Sequence, residues 1–189
     1  FVTLGIFLVF NLLGSNTSAA IIGLEGAMVQ MISHGLISAA LFFCIGIIYK
    51  HSKSRLLKDN YGVSKFMPIF SFMMIFFLMA NSGLPGTSGF VGEFLVITSS
   101  LGSSFLFGLL AATSLLLSAS YSLKMGKNVL FGDNLKNNQG YIECSFNEKI
   151  VLAILIIFIL YLGIIPDYLF KIIDQSVISI VQSLSIGRL

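Results

Sequence analysis

The sequence has little charge and many apolar residues. Only 10% of its 189 residues are Asp, Glu, Lys or Arg, whereas a soluble domain carries about 25%. Hydrophobic residues make up 56% of the chain, and the mean hydropathy is +0.96. A soluble core of this size could not bury so much apolar surface. The composition therefore excludes a cytosolic globule and a disordered chain, and it predicts an integral membrane protein.

The sequence also lacks the usual marks of nucleic-acid, metal and nucleotide sites. Its net charge of +3 rests on eleven basic and eight acidic residues, too few for an electrostatic footprint on DNA or RNA. It contains no glycine-rich phosphate loop after a strand, no CxxC, no paired-histidine spacing and no nucleophile elbow. Cys44 lies in an apolar run and Cys144 in a polar loop a hundred residues later, so we expect neither a disulfide nor a metal site.

Apolar stretches and polar segments alternate along the chain. A helix that crosses the hydrocarbon of a bilayer needs about 20 apolar residues. We predict about five transmembrane helices: spans at about 1–13, 19–49, 66–103 and 105–127, forming one unit over 1–127, then a polar loop at 128–149 and a final span with a tail at 150–189. The first stretch is short and lacks the basic region and cleavage site of a signal peptide, so we expect a preceding part of the chain to be missing.

The stretch 66–103 is predicted to be one discontinuous helix. Each half has about 15 residues, or roughly 22 Å of helix, which is too short to cross alone. Basic residues cluster before it and after the next span (Lys50, Lys53, Arg55, Lys58 and Lys65; Lys124, Lys127, Lys136 and Lys149). Positive loops share one side of a membrane, which requires an even number of crossings between them.

We therefore predict that the helix is broken at 81–89, with Gly83, Pro85 and Gly86 as the hinge. Irregular backbone at membrane depth occurs only where it is buried in protein or lines a wet cavity, and broken helices mark ion or substrate paths in transporters. The same argument places 50–65 and 128–149 on the matrix or cytoplasmic side. The turn at 14–18 and the C-terminal tail then face the opposite side.

The tail at 168–189 has apolar residues at helical spacing with polar residues mostly on the other face. This pattern predicts an amphipathic helix. It would lie at the membrane interface or against a partner, or it would continue the last span with a kink at Pro166.

Three ionisable side chains lie within apolar spans: Glu25, His34 and Glu93. Such groups are costly in a membrane, so function is the first hypothesis for them. Burial favours the protonated form of a carboxyl group, which suits reversible proton uptake by Glu93. Histidine titrates near pH 6.5 when unperturbed, so His34 is suited to passing a proton to Glu93 through water held by Ser33 and Ser82.

Each of these residues also has a structural interpretation. Glu93 and His34 would serve as buried hydrogen-bonding groups between helices. Glu25 lies near the start of its span, where an acid is favoured by the helix dipole. Lys124 would extend its ammonium group to the membrane interface, or it would lie at a channel mouth.

Several segments, in this order and spacing, resemble the subunit 4 family of proton-pumping NADH:ubiquinone oxidoreductase, respiratory complex I. They are GLEGAMVQMISHGL at 23–36, ALFFC at 40–44, LPGTSGFVGEFL at 84–95 and ASYSL at 119–123. The opening FVTLGIF is similar to the end of the preceding family helix. The sister subunit 5 usually has Ser-Lys-Asp where this chain has Gly-Glu-Phe at 92–94, which favours subunit 4.

The resemblance implies an antiporter-like fold with two inverted five-helix units, each holding a broken helix. This chain would be the last part of the second unit plus the final helix. His34 matches the family's central-axis histidine, and Glu93 matches the acidic residue on the second half of the broken helix. The first unit's glutamate and lysines have no counterpart here, so a separate polypeptide or segment would supply them.

The resemblance further implies part of a proton-translocation channel, coupled to electron transfer from NADH to ubiquinone in other subunits. FMN, iron–sulfur clusters and ubiquinone would belong to those subunits and not to this chain. The partners would be other membrane-arm subunits and the lipid bilayer, in the mitochondrial inner membrane or a bacterial plasma membrane. The alternatives are a subunit of a cation/proton antiporter or membrane-bound hydrogenase, and a non-catalytic membrane scaffold.

Overall fold

The computed structural model describes residues 1–13, 15–132 and 141–186, and in these residues the chain is helical without a strand. The helices are α1 (Val2–Leu12), α2 (Thr17–Ser52), α3 (Pro68–Asn81), α4 (Ser88–Ser103), α5 (Phe105–Phe131), α6 (Phe146–Ile164) and α7 (Asp167–Ile186), with short 3-10 turns at Leu57–Asp59 and Val63–Lys65. The predicted all-α fold class is confirmed. Gly14 of the predicted turn, Lys136 of the polar loop and the last residues of the tail, 187–189, lie outside the described residues.

The long helix α2 is the centre of the bundle. Its 36 residues extend about 54 Å at 1.5 Å per residue. The side chain of Asn16 caps its start by accepting a hydrogen bond from the amide of Ala19 at 3.1 Å. Helices α1, α3, α4, α6 and α7 all pack against α2, so it positions every other α-helix except α5.

The predicted break is present, between Asn81 at the end of α3 and Ser88 at the start of α4. Gly83 and Gly86 adopt φ of +74° and +91°, a left-handed conformation that glycine adopts without a steric penalty. Pro85, between them, has no amide hydrogen to donate to a helix. These three hinge residues explain why the chain cannot remain helical here.

The two half-helices follow one another along α2 in the same direction. Helix α4 lies beside the first part of α2, where Ser99 Oγ donates to the Ala19 carbonyl at 2.6 Å and Ser33 Oγ lies 2.8 Å from Ser88 Oγ. Helix α3 shares a hydrophobic core with the second part of α2, from Ile37 to Ile48. The halves therefore form one discontinuous helix and not a hairpin, as the sequence predicts.

Helices α6 and α7 repeat this arrangement. Lys50 Nζ at the end of α2 lies 3.1 Å from Glu148 Oε1 in the first turn of α6, so α6 starts beside the end of α2. After the interruption at 165–166, the apolar face of α7, which includes Val177, packs against the first part of α2. The tail is therefore an amphipathic helix that continues the last span, the second of the two predicted arrangements.

By length and composition, four helices could each cross a membrane: α2, α5, α6 and α7. Helix α1 has only 11 residues, and α3 and α4 reach a comparable length only together. This agrees with the predicted number of about five spans. The sidedness of the loops stays a prediction.

Cys144 lies in the segment between α5 and α6, but it is buried. It is only 4% exposed and belongs, with Cys44, to the largest hydrophobic core. Glu143 attaches the segment around it to the start of α3. The Glu143 carboxylate accepts hydrogen bonds from the amides of Ile69 at 3.0 Å and Phe70 at 3.2 Å. These amides at the start of α3 have no partner within the helix, so the carboxylate draws the segment onto the core.

Candidate functional site

Glu93 is the acidic side chain of the candidate site. It lies in the second turn of α4 and is 6% exposed. Its Oε1 accepts a hydrogen bond from Gln30 Nε2 at 3.4 Å, while its Oε2 has no hydrogen-bond partner among the described residues. A buried carboxylate oxygen without a partner is costly, so a proton or a water molecule is the natural complement of Oε2.

Glycines allow this carboxyl group to fit between the helices. A Cβ atom on Gly92 would lie 2.7 Å from Gln30 Oε1, and one on Gly83 would lie 2.5 Å from Glu93 Oε2. Real Cβ atoms do not approach other atoms so closely. The missing side chains therefore let α4 approach α2 and let the broken segment close over the carboxyl group.

Glu93 faces an open cleft of about 490 Å³. Its other polar lining side chains come from α1, from α2, from the end of α3 and from one face of α5: Thr3, Gln30, His34, Asn81, Ser114, Ser118 and Tyr121. His34 is four residues after Gln30, about 6 Å further along the same face of α2, and it is exposed. A single water needs only about 10–15 Å³, so the cleft has room for a water chain between His34 and Glu93.

Hydrogen bonds connect the break to α5. Asn81 Nδ2 donates to Ser122 Oγ at 3.4 Å, and Ser118 Oγ lies 3.3 Å from the Asn81 carbonyl and 3.2 Å from the Tyr121 hydroxyl. The last carbonyls of α3 have no partner within the helix. The serines of α5 therefore supply polar groups to the broken segment.

Residues 4–120 decide which family the chain belongs to. They match the sequence model of the transmembrane family described as NADH:quinone oxidoreductase/Mrp antiporter. The chain belongs to this family. Because the family is a transmembrane one and the helices are long and apolar, the predicted location in a membrane is confirmed.

Individual members of the family share much of this sequence. The chain is 39% identical, over 96% of its length, to NADH-ubiquinone oxidoreductase chain 4 of Marchantia polymorpha, of which it covers 35%. It is 40% identical, over 85% of its length, to NADH-quinone oxidoreductase subunit M of Rhodobacter capsulatus, of which it covers 32%. The chain therefore spans about a third of the length of these curated relatives.

A solved structure has the same fold. A chain of respiratory complex I from Thermus thermophilus with bound NADH superposes with a TM-score of 0.81 and 21% sequence identity. The match covers 96% of this chain and 36% of that one. The predicted antiporter-like family is confirmed by the match of residues 4–120, and the superposition shows that the fold is shared.

The other predicted site residues do not line this cleft. Ser33 is buried and forms a hydrogen bond with the hydroxyl of Ser88. Ser82 Oγ donates a hydrogen bond to the Leu78 carbonyl at 2.8 Å, at the end of α3. Glu25 is half-buried on α2, within electrostatic range of Asp174 on α7. Lys124 is exposed on α5. The structure thus brings together Glu93 and His34, and the hinge glycine Gly83, but not these four side chains.

Sequence reasoning did not single out the uncharged groups that surround Glu93. Gln30 is its hydrogen-bond partner, and Asn81 and Ser118 connect the break to α5. A signal for the latter exists, because Ser114, Ser118 and Ser122 recur every four residues on one face of an otherwise apolar helix. Among the described residues, no group of three His, Cys, Asp or Glu side chains is placed to hold a metal ion.

Proposed function

We propose that the chain is the C-terminal part of a chain 4 or subunit M of NADH:quinone oxidoreductase and supplies one half of a proton path. The observation that carries this proposal is Glu93. Its carboxyl group is buried beside a broken helix, one oxygen lacks a partner, and it lines an open cleft together with His34. Ionisable groups so placed in membrane proteins mark proton relays.

The proton transfer uses the groups that line the cleft. One ring nitrogen of His34 accepts a proton that arrives along the water chain, and the other ring nitrogen releases its proton to the next water. The chain ends at Glu93, where Oε2 takes the proton and Gln30 keeps its hydrogen bond to Oε1. Release of the proton from Oε2 restores the carboxylate, which the hydrogen bond from Gln30 stabilises.

The redox chemistry belongs to other subunits in this proposal. FMN, iron–sulfur clusters and ubiquinone carry electrons from NADH, and this chain responds by moving protons. A separate polypeptide or segment supplies the first antiporter-like unit, since the chain spans about a third of its relatives. The complex lies in the mitochondrial inner membrane or in a bacterial plasma membrane, because relatives come from a liverwort and from bacteria.

The test is Glu93→Gln in the assembled complex, reconstituted in sealed vesicles. This change keeps the size of the side chain and removes its titration. We expect NADH-driven proton pumping and coupled quinone reduction to fall at least tenfold, which is below the usual range for losing an acid–base group. NADH oxidation by artificial acceptors should be unchanged. Glu93→Asp should retain part of the activity, and His34→Ala should be milder because water can replace an exposed side chain.

Glu25→Gln is the matched control. It neutralises a half-buried carboxyl group of α2 that does not line the cleft, so pumping should continue. Pumping at the unmutated rate in an assembled Glu93→Gln complex would leave only the scaffold interpretation.

A cation/proton antiporter subunit is the second candidate, because the family description includes Mrp antiporters. The proteins that purify with the chain distinguish the two. Flavin and iron–sulfur subunits indicate the oxidoreductase. A small assembly that exchanges cations for protons without NADH indicates the antiporter, and in both the buried carboxyl group of Glu93 carries the proton.

A further inference from the structure

A second cleft, of about 560 Å³, opens at the C-terminal end of α2. One part of its lining is apolar and comes from α2, α3 and α5: Phe42, Ile45, Ile48, Met74, Met125 and Val129. The other part is polar and includes Tyr49, Ser54 and Arg55, which lie where α2 ends and the basic segment at 50–65 begins. The cleft therefore joins an apolar groove between helices to a basic mouth.

The mouth of this cleft is positively charged. The Arg55 guanidinium lies 5.5 Å from the centre of the Tyr49 ring, and the Lys53 ammonium lies 6.0 Å from it. Among the described residues, none that lines the cleft is acidic. The nearby carboxylate of Asp59 accepts a hydrogen bond from Ser54 Oγ at 2.6 Å. Both cations thus lie within cation–π distance of the Tyr49 ring at the mouth of the cleft.

The loop that carries these cations is held in place by Asn60. This side chain is buried, and its Nδ2 donates to the carbonyls of Leu56 at 2.7 Å and Ser54 at 3.1 Å. Its Oδ1 accepts a hydrogen bond from the Tyr141 hydroxyl at 3.0 Å. The mouth is therefore preorganised, which lowers the cost of binding a ligand.

We propose that this cleft binds one anionic phospholipid, with an acyl chain along the groove and the phosphate at Arg55. Phe42 is 73% exposed in the middle of an apolar run of α2, where the surroundings are hydrocarbon. A guanidinium group forms two parallel hydrogen bonds with a phosphate. Basic pockets between membrane helices on the matrix or cytoplasmic side suit such headgroups. The proposal does not depend on the role of Glu93.

The chain contains no tryptophan, so one introduced indole reports on a single place. Phe42→Trp places the indole in the groove. Phe72→Trp is the matched control, because Phe72 is 74% exposed near the start of α3 and does not line the cleft. Each variant of the full chain is reconstituted in phosphatidylcholine vesicles that contain a minor fraction of brominated phosphatidylglycerol or brominated phosphatidylcholine, and quenching of the indole is measured.

We expect brominated phosphatidylglycerol to quench the F42W indole with about fivefold higher relative affinity than brominated phosphatidylcholine, the effect of one basic side chain near an anionic headgroup. The F72W indole should show no preference. Adding Arg55→Gln to F42W should abolish the preference. Adding Lys58→Gln, which removes the same charge from the same loop but outside the cleft, should preserve it.

Four results would overturn the proposal. Equal quenching by both lipids in F42W would mean that the groove is ordinary bilayer contact. An equal preference for phosphatidylglycerol in F42W and F72W, or equal effects of Arg55→Gln and Lys58→Gln, would reflect general surface charge. Quenching in F72W but not in F42W would mean that another protein segment covers the cleft.

Discussion

Replacement of Gly83 by alanine tests whether the position of the Glu93 carboxyl group matters. Gly83 has φ +74°, and a Cβ atom there would lie 2.5 Å from Glu93 Oε2 and 3.3 Å from Leu115 Cδ2. The added methyl group thus meets the oxygen that we propose to carry the proton. Gly86→Ala is the matched control, because Gly86 has φ +91° in the same break but nothing within 4 Å of its Cβ position.

The expected magnitudes separate strain from displacement. A left-handed alanine costs about 1–2 kcal/mol, so both variants should lower the free energy of unfolding by similar amounts. In Gly83→Ala the carboxyl oxygen must also move by about 0.9 Å to restore the ordinary contact distance of 3.4 Å. This movement costs little stability, because Oε2 is the end of a flexible side chain. The hydrogen bond from Gln30 is 3.4 Å long, beyond the usual range, so it adds little to stability, and we expect it to break.

A displacement of about 1 Å in a reacting group can lower a rate about a hundredfold. We therefore expect at least a tenfold lower rate of NADH-driven proton pumping in Gly83→Ala than in Gly86→Ala. The rate is measured in sealed vesicles with the assembled complex, and thermal unfolding is measured in parallel. Equal pumping by the two variants would refute the reasoning, because the position of Oε2 would then be irrelevant to the transfer.

Three further predictions concern stability and sidedness. Gly163→Ala should destabilise the chain by about 1–3 kcal/mol in thermal unfolding, since its Cβ would meet backbone atoms of the break, whereas Gly46→Ala, with open space at its Cβ, should not. Burial raises the pKa of Glu143, but hydrogen bonds from three backbone amides outweigh this effect and hold the pKa below 4.5. This carboxylate therefore stabilises the fold at pH values above 4.5. The stabilisation is lost as the pH falls through the lowered pKa. Glu143→Gln should remove that part of the pH dependence, which acid titration of unfolding measures. A membrane-impermeant maleimide should label Lys58→Cys from the matrix or cytoplasmic side only, while buried Cys144 stays unlabelled in the folded protein.

The break in the helix could be predicted because its causes are local. Pro85 and the glycines at 83 and 86 disfavour helix wherever they occur, and the short apolar stretches on either side limit the alternatives. The burial of Cys144 could not be predicted in the same way. It depends on Glu143 reaching the amides of Ile69 and Phe70, more than seventy residues earlier in the chain, and no local pattern records such a contact.

The residues of the candidate site likewise fall into two groups, those that the sequence identifies and those that only the structure identifies. Glu93 and His34 stand out in the sequence because an ionisable group in an apolar span costs free energy. Gln30 and the serines of α5 are uncharged, so they carry a smaller penalty in a membrane helix than an ionisable group does. Their place beside Glu93 follows from which helix faces meet, so only the tertiary structure identifies them.

What determines the site most strongly is a set of absent side chains. Gly92 lets the amide of Gln30 reach Glu93 from α2, and Gly83 lets the broken segment approach Oε2 from the other side. A Cβ on Gly89 would lie 2.8 Å from the Ala80 carbonyl, so glycine also lets the two half-helices meet across the break. Each glycine alone is an ordinary feature of membrane helices. Together with Glu93, two of them form a pattern in the sequence: Gly92 lies one residue before the acid, and Gly83 lies ten residues before it. A buried carboxyl group with one free oxygen follows from that spacing. A side chain at Gly83 should therefore disturb Glu93 before it disturbs the fold, whereas one at Gly92 would also lie within 2.9 Å of the Gln30 backbone and would force α4 away from α2.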